Sequence, residues 1–151
     1  MSKHLDIREE IKQAMLKKDV LRLSVLRGLL SAFTNQLVAT KRKPDEVLSD
    51  EEVMDVIGKQ ARQRKDSIVQ FEKGGRSDLA EIEKNELVIL EAFLPAQMTY
   101  EEVLTVVKTK ISEAGPIDPT KKGQFMGTIM KDLKGIADGQ MVKKAIDQLL
   151  T

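Results

Sequence analysis

The chain has 151 residues, of which 41% are hydrophobic and 32% are charged, and it contains no cysteine. This composition is that of an ordinary globular protein, and the missing cysteine excludes disulfide bonds, thiolate metal sites and a thiol nucleophile. The 25 basic and 24 acidic residues leave a formal net charge of +1, so binding to a polyanion has to come from a local patch.

Apolar residues recur at spacings of three and four along the chain, which predicts helices and no strands. We expect Asp6 to cap a first helix and Asp19 to begin a second. The apolar face of the first helix consists of Ile7, Ile11, Ala14 and Met15. The seam of the second helix consists of Leu23, Leu26, Leu30, Phe33 and Leu37. A seam of this kind predicts packing against another helix.

Two more helices complete the N-terminal part of the chain. Ser49 and Glu52 form a capping box at the start of the third helix, which ends at Gly74-Gly75. The fourth helix ends at Leu94-Pro95 because proline cannot continue it. Four helices with short connections predict two antiparallel hairpins, and we assign residues 1–95 to an N-terminal helical domain.

Residues 96–151 predict three shorter helices, which we expect to form a C-terminal three-helix bundle. Thr99 and Glu102 form a capping box at the start of the first. Asp118-Pro119 begins the second and Asp138 begins the third. The predicted fold class is therefore all-α, with two helical domains.

Four glycines fall in the stretch Lys121–Gln140, although a glycine inside a helix costs about 1 kcal/mol relative to alanine. Gly135 and Gly139 are explained by the ends of helices. Gly123 and Gly127 lie four residues apart on one helix face and leave a strip of bare backbone. Either another helix packs closely on this strip or an outside partner, such as a phosphate backbone, approaches it.

Two groups of basic residues, together with Gly123 and Gly127, make up the predicted RNA-binding residues. The first group flanks the glycines and consists of Lys121, Lys122, Lys131 and Lys134. The second lies on the third helix and consists of Lys59, Arg62 and Lys65. Cations beside accessible backbone suit a phosphate chain. In the second group, Asp55 and Asp66 can pair at four-residue spacing, which also fits an ordinary solvated surface.

The sequence shows no catalytic constellation. His4, the only histidine, lies ahead of the first predicted cap in a stretch expected to fray. Glu83 and Glu86 share a helix face, which we interpret as solvated. No glycine-rich nucleotide-binding loop is present. We therefore expect no catalytic residues, no cofactor and no metal.

Three stretches, RLSVLRGLLSA, RQRKDSIVQFEKGGRSDLAEIEKNELVILEAFLPAQM and KGQFMGTIMKDLKGIADGQMV, resemble the YqeY family over nearly the whole chain. The resemblance implies the architecture of the tail of the B subunit of the tRNA-dependent amidotransferase, which amidates misacylated glutamyl-tRNA or aspartyl-tRNA. In that relative the tail holds the tRNA elbow and does no chemistry. The catalytic domain of the subunit has no counterpart here, so the family's carbon–nitrogen ligase label does not imply activity in this chain.

Three functions remain open at this point. The first is a non-catalytic tRNA-binding accessory protein whose C-terminal domain contacts RNA backbone and shape, because the few aromatic residues offer no platform for stacking bases. The second is a docking module for an amidotransferase or an aminoacyl-tRNA synthetase, with little or no RNA binding. The third is a catalytic amidotransferase subunit. Without an apolar run long enough to span a membrane or act as a leader, we expect a cytoplasmic protein with no membrane partner.

Overall fold

The computed structural model describes residues 2–150, and within them the chain is all-helical, with no strand. The helices are α1 Lys3–Leu16, α2 Val20–Ala39, α3 Asp50–Lys73, α4 Ser77–Glu91, α5 Tyr100–Ala114, α6 Lys122–Asp132 and α7 Gly139–Leu150. A short 3-10 turn, Pro119–Lys121, precedes α6. The predicted all-α fold class is confirmed. The chain divides into two compact units, Met1–Leu94 and Pro95–Thr151.

The helices begin where side-chain oxygens accept hydrogen bonds from backbone N–H groups that have no partner inside the helix. At α2 the carboxylate of Asp19 accepts from the N–H of Arg22 at 3.1 Å. At α3 the capping box of Ser49 and Glu52 forms in both directions, as predicted. At α1 the prediction was wrong, because Ser2 rather than Asp6 is the N-cap residue.

The earlier start of α1 brings His4 into the core instead of a frayed segment, which corrects the prediction. Only 2% of His4 is exposed. Its Nδ1 accepts a hydrogen bond from the N–H of Leu48 at 3.0 Å, and its ring centroid lies 4.9 Å from that of Phe33. Burial, with a smaller contribution from the charge of Arg8, lowers the pKa of His4. His4 therefore serves as a neutral acceptor that holds the segment before α3 against α1.

The first unit contains two helical hairpins, α1–α2 and α3–α4, and α2 packs against the other three helices. The core of this unit consists of Ile7, Ala14, Val25, Leu26, Leu29, Phe33, Leu37, Leu48, Val53, Ile57 and Leu90. The predicted seam of α2 is confirmed at Leu26, Phe33 and Leu37, which are fully buried. Met15, predicted on the apolar face of α1, is 53% exposed because the neighbouring Ala14 takes the inward position.

In the second unit α7 packs against both α5 and α6. The core of this unit consists of Val103, Val107, Ile129, Leu133, Val142, Ala145 and Ile146. The segment before α5 is tied to the α6–α7 connection, since the N–H of Met98 donates to the carbonyl of Ile136 at 2.7 Å. Gly135, in the same connection, has a φ of +85°, a conformation that glycine adopts without steric cost. Of the helices in residues 2–150, none combines the length and the apolar character that crossing a bilayer requires.

Candidate functional site

The strip of bare backbone at Gly123 and Gly127 lies on the outer side of α6. Both glycines are exposed, and a Cβ atom added at either position would meet no atom within 4 Å beyond the local helix backbone and adjacent residues, among residues 2–150. The opposite side of α6 carries Ile129 and Leu133 into the core of the second unit. The sequence left two interpretations open, close packing of another helix or approach of an outside partner. No other helix of the described residues packs on this strip.

Three exposed lysines surround the glycine strip. Lys131 continues it directly, because residues 123, 127 and 131 follow one another at four-residue intervals on one helix face. Lys121 lies at the end of the 3-10 turn before α6, and Lys134 lies beyond the end of the helix. With 11 residues, α6 is about 16 Å long, so lysines at its two ends can contact different phosphates.

The charge of Lys122, one of the predicted lysines, is already engaged in an ion pair. Its Nζ lies 2.8 Å from Oδ1 of Asp147 on α7, and the side chain is only about one-third exposed, at 34%. This hydrogen bond, aided by the charge of Lys143, lowers the pKa of Asp147. We therefore expect Lys122 to contribute less to binding an anion than Lys131.

Lys110 and Lys143, which are not among the predicted residues, lie in the same unit and act on acids there. Lys143 on α7 acts electrostatically on Asp147, four residues away, and this spacing was the signal in the sequence. Lys110 on α5 lies 3.4 Å from Asp132 at the end of α6, a pair that joins helices distant in sequence. Asp132 is the acid nearest to Lys131 in the chain, and its contact with Lys110 offsets part of its charge.

The second predicted group, Lys59, Arg62 and Lys65, lies on α3 of the first unit. Lys59 and Arg62 are exposed and Lys65 is partly exposed. The guanidinium of Arg62 turns back over Gly58, since its Nη1 lies 3.6 Å from the position that a Cβ of that glycine would take. The two predicted groups belong to different units of the chain.

The carboxylates of Glu83 and Glu86 are not on a solvated helix face, which corrects the sequence interpretation. Both accept hydrogen bonds from Nη1 of Arg64, which reaches from α3 to α4, at 3.1 Å for Glu83. The three side chains are only 18 to 23% exposed. Nε of Arg64 is buried and has no hydrogen-bond partner within residues 2–150. The contacts of this cluster are internal to the α3–α4 hairpin, and we assign it a structural role.

We compared the chain with known protein families and proteins, and it is similar to one family. The family model described as Yqey-like protein matches residues 4–150. The protein of Kluyveromyces lactis named altered inheritance of mitochondria protein 41, mitochondrial, is 39% identical over 115 residues, which are 73% of this chain and 60% of the relative. Proteins of the same name are 38% identical over 89 residues in Lachancea thermotolerans and 30% identical over 116 residues in Saccharomyces cerevisiae. The match to the Lachancea thermotolerans protein covers 59% of this chain and 46% of the relative. The match to the Saccharomyces cerevisiae protein covers 71% of this chain and 61% of the relative. The chain thus spans about half to three-fifths of the length of these relatives.

The names of these relatives contradict the predicted cytoplasmic location, because they describe mitochondrial proteins. The prediction rested on the lack of an apolar segment in the sequence. That observation does not identify a compartment, since segments that direct proteins to mitochondria are amphipathic and rich in arginine rather than continuously apolar.

Proposed function

Because the chain belongs to the family of Yqey-like proteins, we propose that it is a non-catalytic accessory protein that binds tRNA through its second unit. The observation that carries this proposal is the open backbone at Gly123 and Gly127 beside the exposed Lys131. A phosphate group can approach such a strip closely while the lysine neutralises its charge. Lys121 and Lys134 extend the basic surface at the two ends of α6.

In this proposal the protein contacts the RNA backbone and reads its shape rather than stacking on its bases. Phe33 is fully buried, and Phe125 packs against the core of the second unit. Tyr100 is partly buried, and Lys144 lies over its ring at 5.1 Å from the centroid. Base stacking needs accessible aromatic faces, so a folded RNA such as the tRNA elbow suits this surface better than a single strand.

The likeness to the amidotransferase B-subunit tail suggests that this chain binds tRNA while a different protein carries out the reaction. The tail of that subunit holds tRNA while a separate domain does the chemistry. By analogy, this chain would hold tRNA for an amidotransferase or an aminoacyl-tRNA synthetase. Purified chain that amidates glutamyl-tRNA with glutamine, in the absence of any other protein, would contradict the non-catalytic assignment.

The test of RNA binding is the salt dependence of tRNA affinity. If two or three phosphates are neutralised, a plot of log affinity against log salt concentration should have a slope of roughly −2 to −3. The measurement is a titration of labelled tRNA with the full chain at several salt concentrations. Absence of binding at low salt would rule out the proposal.

Lysine variants locate the contact surface. Lys131→Ala should weaken tRNA binding and reduce the magnitude of the salt slope by about 1, because one phosphate contact is lost. Lys122→Ala is the matched control on the same helix, and its effect should be smaller because Asp147 already offsets that charge. If Arg62→Ala weakens tRNA binding and Lys131→Ala does not, the binding site lies in the first unit.

A groove in the first unit favours the second candidate function, a docking module for a partner protein. The cavity has a volume of about 390 Å³ and lies between α1 and α3, with Phe93 at one side. Ile7 and Met54 contribute to its apolar lining, and Asp6 and Glu9 are polar residues around it. Met54→Glu should abolish partner binding and leave tRNA affinity unchanged if docking is the main function, as measured by capture of an amidotransferase or synthetase after nuclease treatment.

A further inference from the structure

The two most exposed large apolar side chains in residues 2–150 lie on either side of the connection between α1 and α2. Val20 is 78% exposed and Leu16 is 76% exposed, and Met15 beside them is 53% exposed. Ala14, which precedes Met15, is buried in the core. The side chains of α1 therefore change from buried to exposed within its last two residues. Apolar side chains that contribute little to the core of their own protein and cluster on its surface mark an interaction site.

Leu16 and Val20 lie on either side of one ordered turn, and Met15 precedes Leu16 in α1. Leu16 is the last residue of α1 and Val20 is the first of α2, with only three residues between them. The N–H of Asp19 donates to the carbonyl of Ala14 at 3.0 Å and closes the turn. The backbone of Lys18 has a φ of +55°, a left-handed conformation that reverses the chain direction. The tip is therefore a preformed end of a helical hairpin rather than a loose loop.

Basic side chains surround this apolar tip. Lys17 and Lys18 lie within the turn and are exposed. Lys12, one helical turn before Leu16, is also exposed, but its Nζ lies 3.8 Å from Oε2 of Glu9, which offsets part of its charge. The one acid in the turn, Asp19, uses its carboxylate to cap α2. Lysine side chains can lie with their stems along apolar surface while the charged end stays in water. The tip thus combines an apolar end with a positively charged rim.

We propose that the α1–α2 tip docks on the surface of an anionic lipid bilayer. Leu16 and Val20 would enter the boundary between headgroups and acyl chains, while Lys17 and Lys18 contact the lipid phosphates. The tip, at the end of a hairpin and with a positive rim, matches a soft and negatively charged surface. The expectation of no membrane partner rested on the lack of a long apolar run, which does not describe a local surface.

A single introduced tryptophan tests the insertion directly, because the chain has no tryptophan of its own. Leu16→Trp in the full chain should show a blue shift of its fluorescence when vesicles of phosphatidylcholine and phosphatidylglycerol are added. The matched control is Val88→Trp, at a position that is 68% exposed on α4 of the same unit, and it should show no shift. Pure phosphatidylcholine vesicles should produce at most a small shift with either variant, and an equal shift with them would overturn the role of the lysines.

Flotation with the same anionic vesicles measures the contribution of the apolar residues. Leu16→Ser combined with Val20→Ser should reduce vesicle affinity by at least about tenfold, whereas Val88→Ser should leave it unchanged. If the wild-type chain does not float, or if it floats without a blue shift in Leu16→Trp, the proposal is wrong. The latter result would assign vesicle binding to other cations, such as Lys131 in the second unit.

Discussion

We expect the buried imidazole of His4 to make the folding of this protein sensitive to pH, because burial lowers its pKa. In the unfolded chain the imidazole takes a proton near pH 6.5, whereas in the folded chain its lowered pKa delays protonation to lower pH. The unfolded state therefore binds more protons as the pH falls below about 6.5. We expect the free energy of unfolding to decrease between pH 7 and pH 5, as measured by denaturant titration at both values.

His4→Asn is the matched variant for this test, since an amide can accept the hydrogen bond from Leu48 but does not titrate. The variant should be less stable at pH 7 because the ring contact with Phe33 is lost. Its free energy of unfolding should nevertheless change little between pH 7 and pH 5. A flat profile in the wild-type chain would contradict the assignment of His4 as a neutral buried acceptor.

Arg64 is shared by two partly buried carboxylates, so its removal should destabilise the first unit. Arg64→Met would leave Glu83 and Glu86 close together and mostly buried without their shared cation. We expect a loss of about 2 kcal/mol in the free energy of unfolding, because unpaired carboxylates are costly in a partly buried site. The measurement is urea unfolding followed by circular dichroism.

Combining Arg64→Met with Glu83→Gln and Glu86→Gln separates the contribution of charge to the free energy of unfolding from that of packing. The triple variant should recover part of the stability, because neutral amides can be accommodated there at lower cost than unpaired carboxylates. If Arg64→Met alone is as stable as the wild-type chain, the cluster is not the structural element that its burial indicates.

At the scale of single elements, α6 is the helix on which the proposed function depends. Gly127→Leu should leave the free energy of unfolding unchanged or raise it by up to about 1 kcal/mol, since a side chain there meets open space and leucine favours helix more than glycine does. The same change should weaken tRNA binding, because the side chain blocks close approach to the backbone.

Gly28→Leu provides the control for that prediction, because Gly28 lies inside α2 and a Cβ atom there also meets nothing within 4 Å. It should change stability in the same direction and leave tRNA affinity unaltered. A loss of about 1 to 3 kcal/mol in Gly127→Leu would contradict the open face, since that is the cost of overpacking.

The ends of the elements were largely predictable because capping is a local interaction. Asp19, Ser49 and Thr99 each accept the backbone hydrogen bond that their position in the sequence predicted. The start of α1 was not predictable in this way, since both Ser2 and Asp6 have capping side chains. In the structure Ser2 is the cap, and His4 is buried in the first turn of the helix that follows it.

At the scale of the whole molecule, the two units have separate hydrophobic cores. We expect a fragment of residues 1–94 to fold by itself, because the eleven buried residues of the first core all lie within it. The measurement is thermal unfolding of the fragment by far-UV circular dichroism, which should show a cooperative transition. A fragment without helical structure would show that the first core needs the second unit.

The helical fold could be predicted from the sequence, because periodicity and capping depend on residues within a few positions of one another. The sequence also identified the basic residues around Gly123 and Gly127. The packing of the helices was needed to show that this glycine strip is open, that Lys122 is paired with Asp147, and that Glu83 and Glu86 share Arg64. Those properties depend on which helix covers which face, and this is set by contacts between residues far apart in the chain.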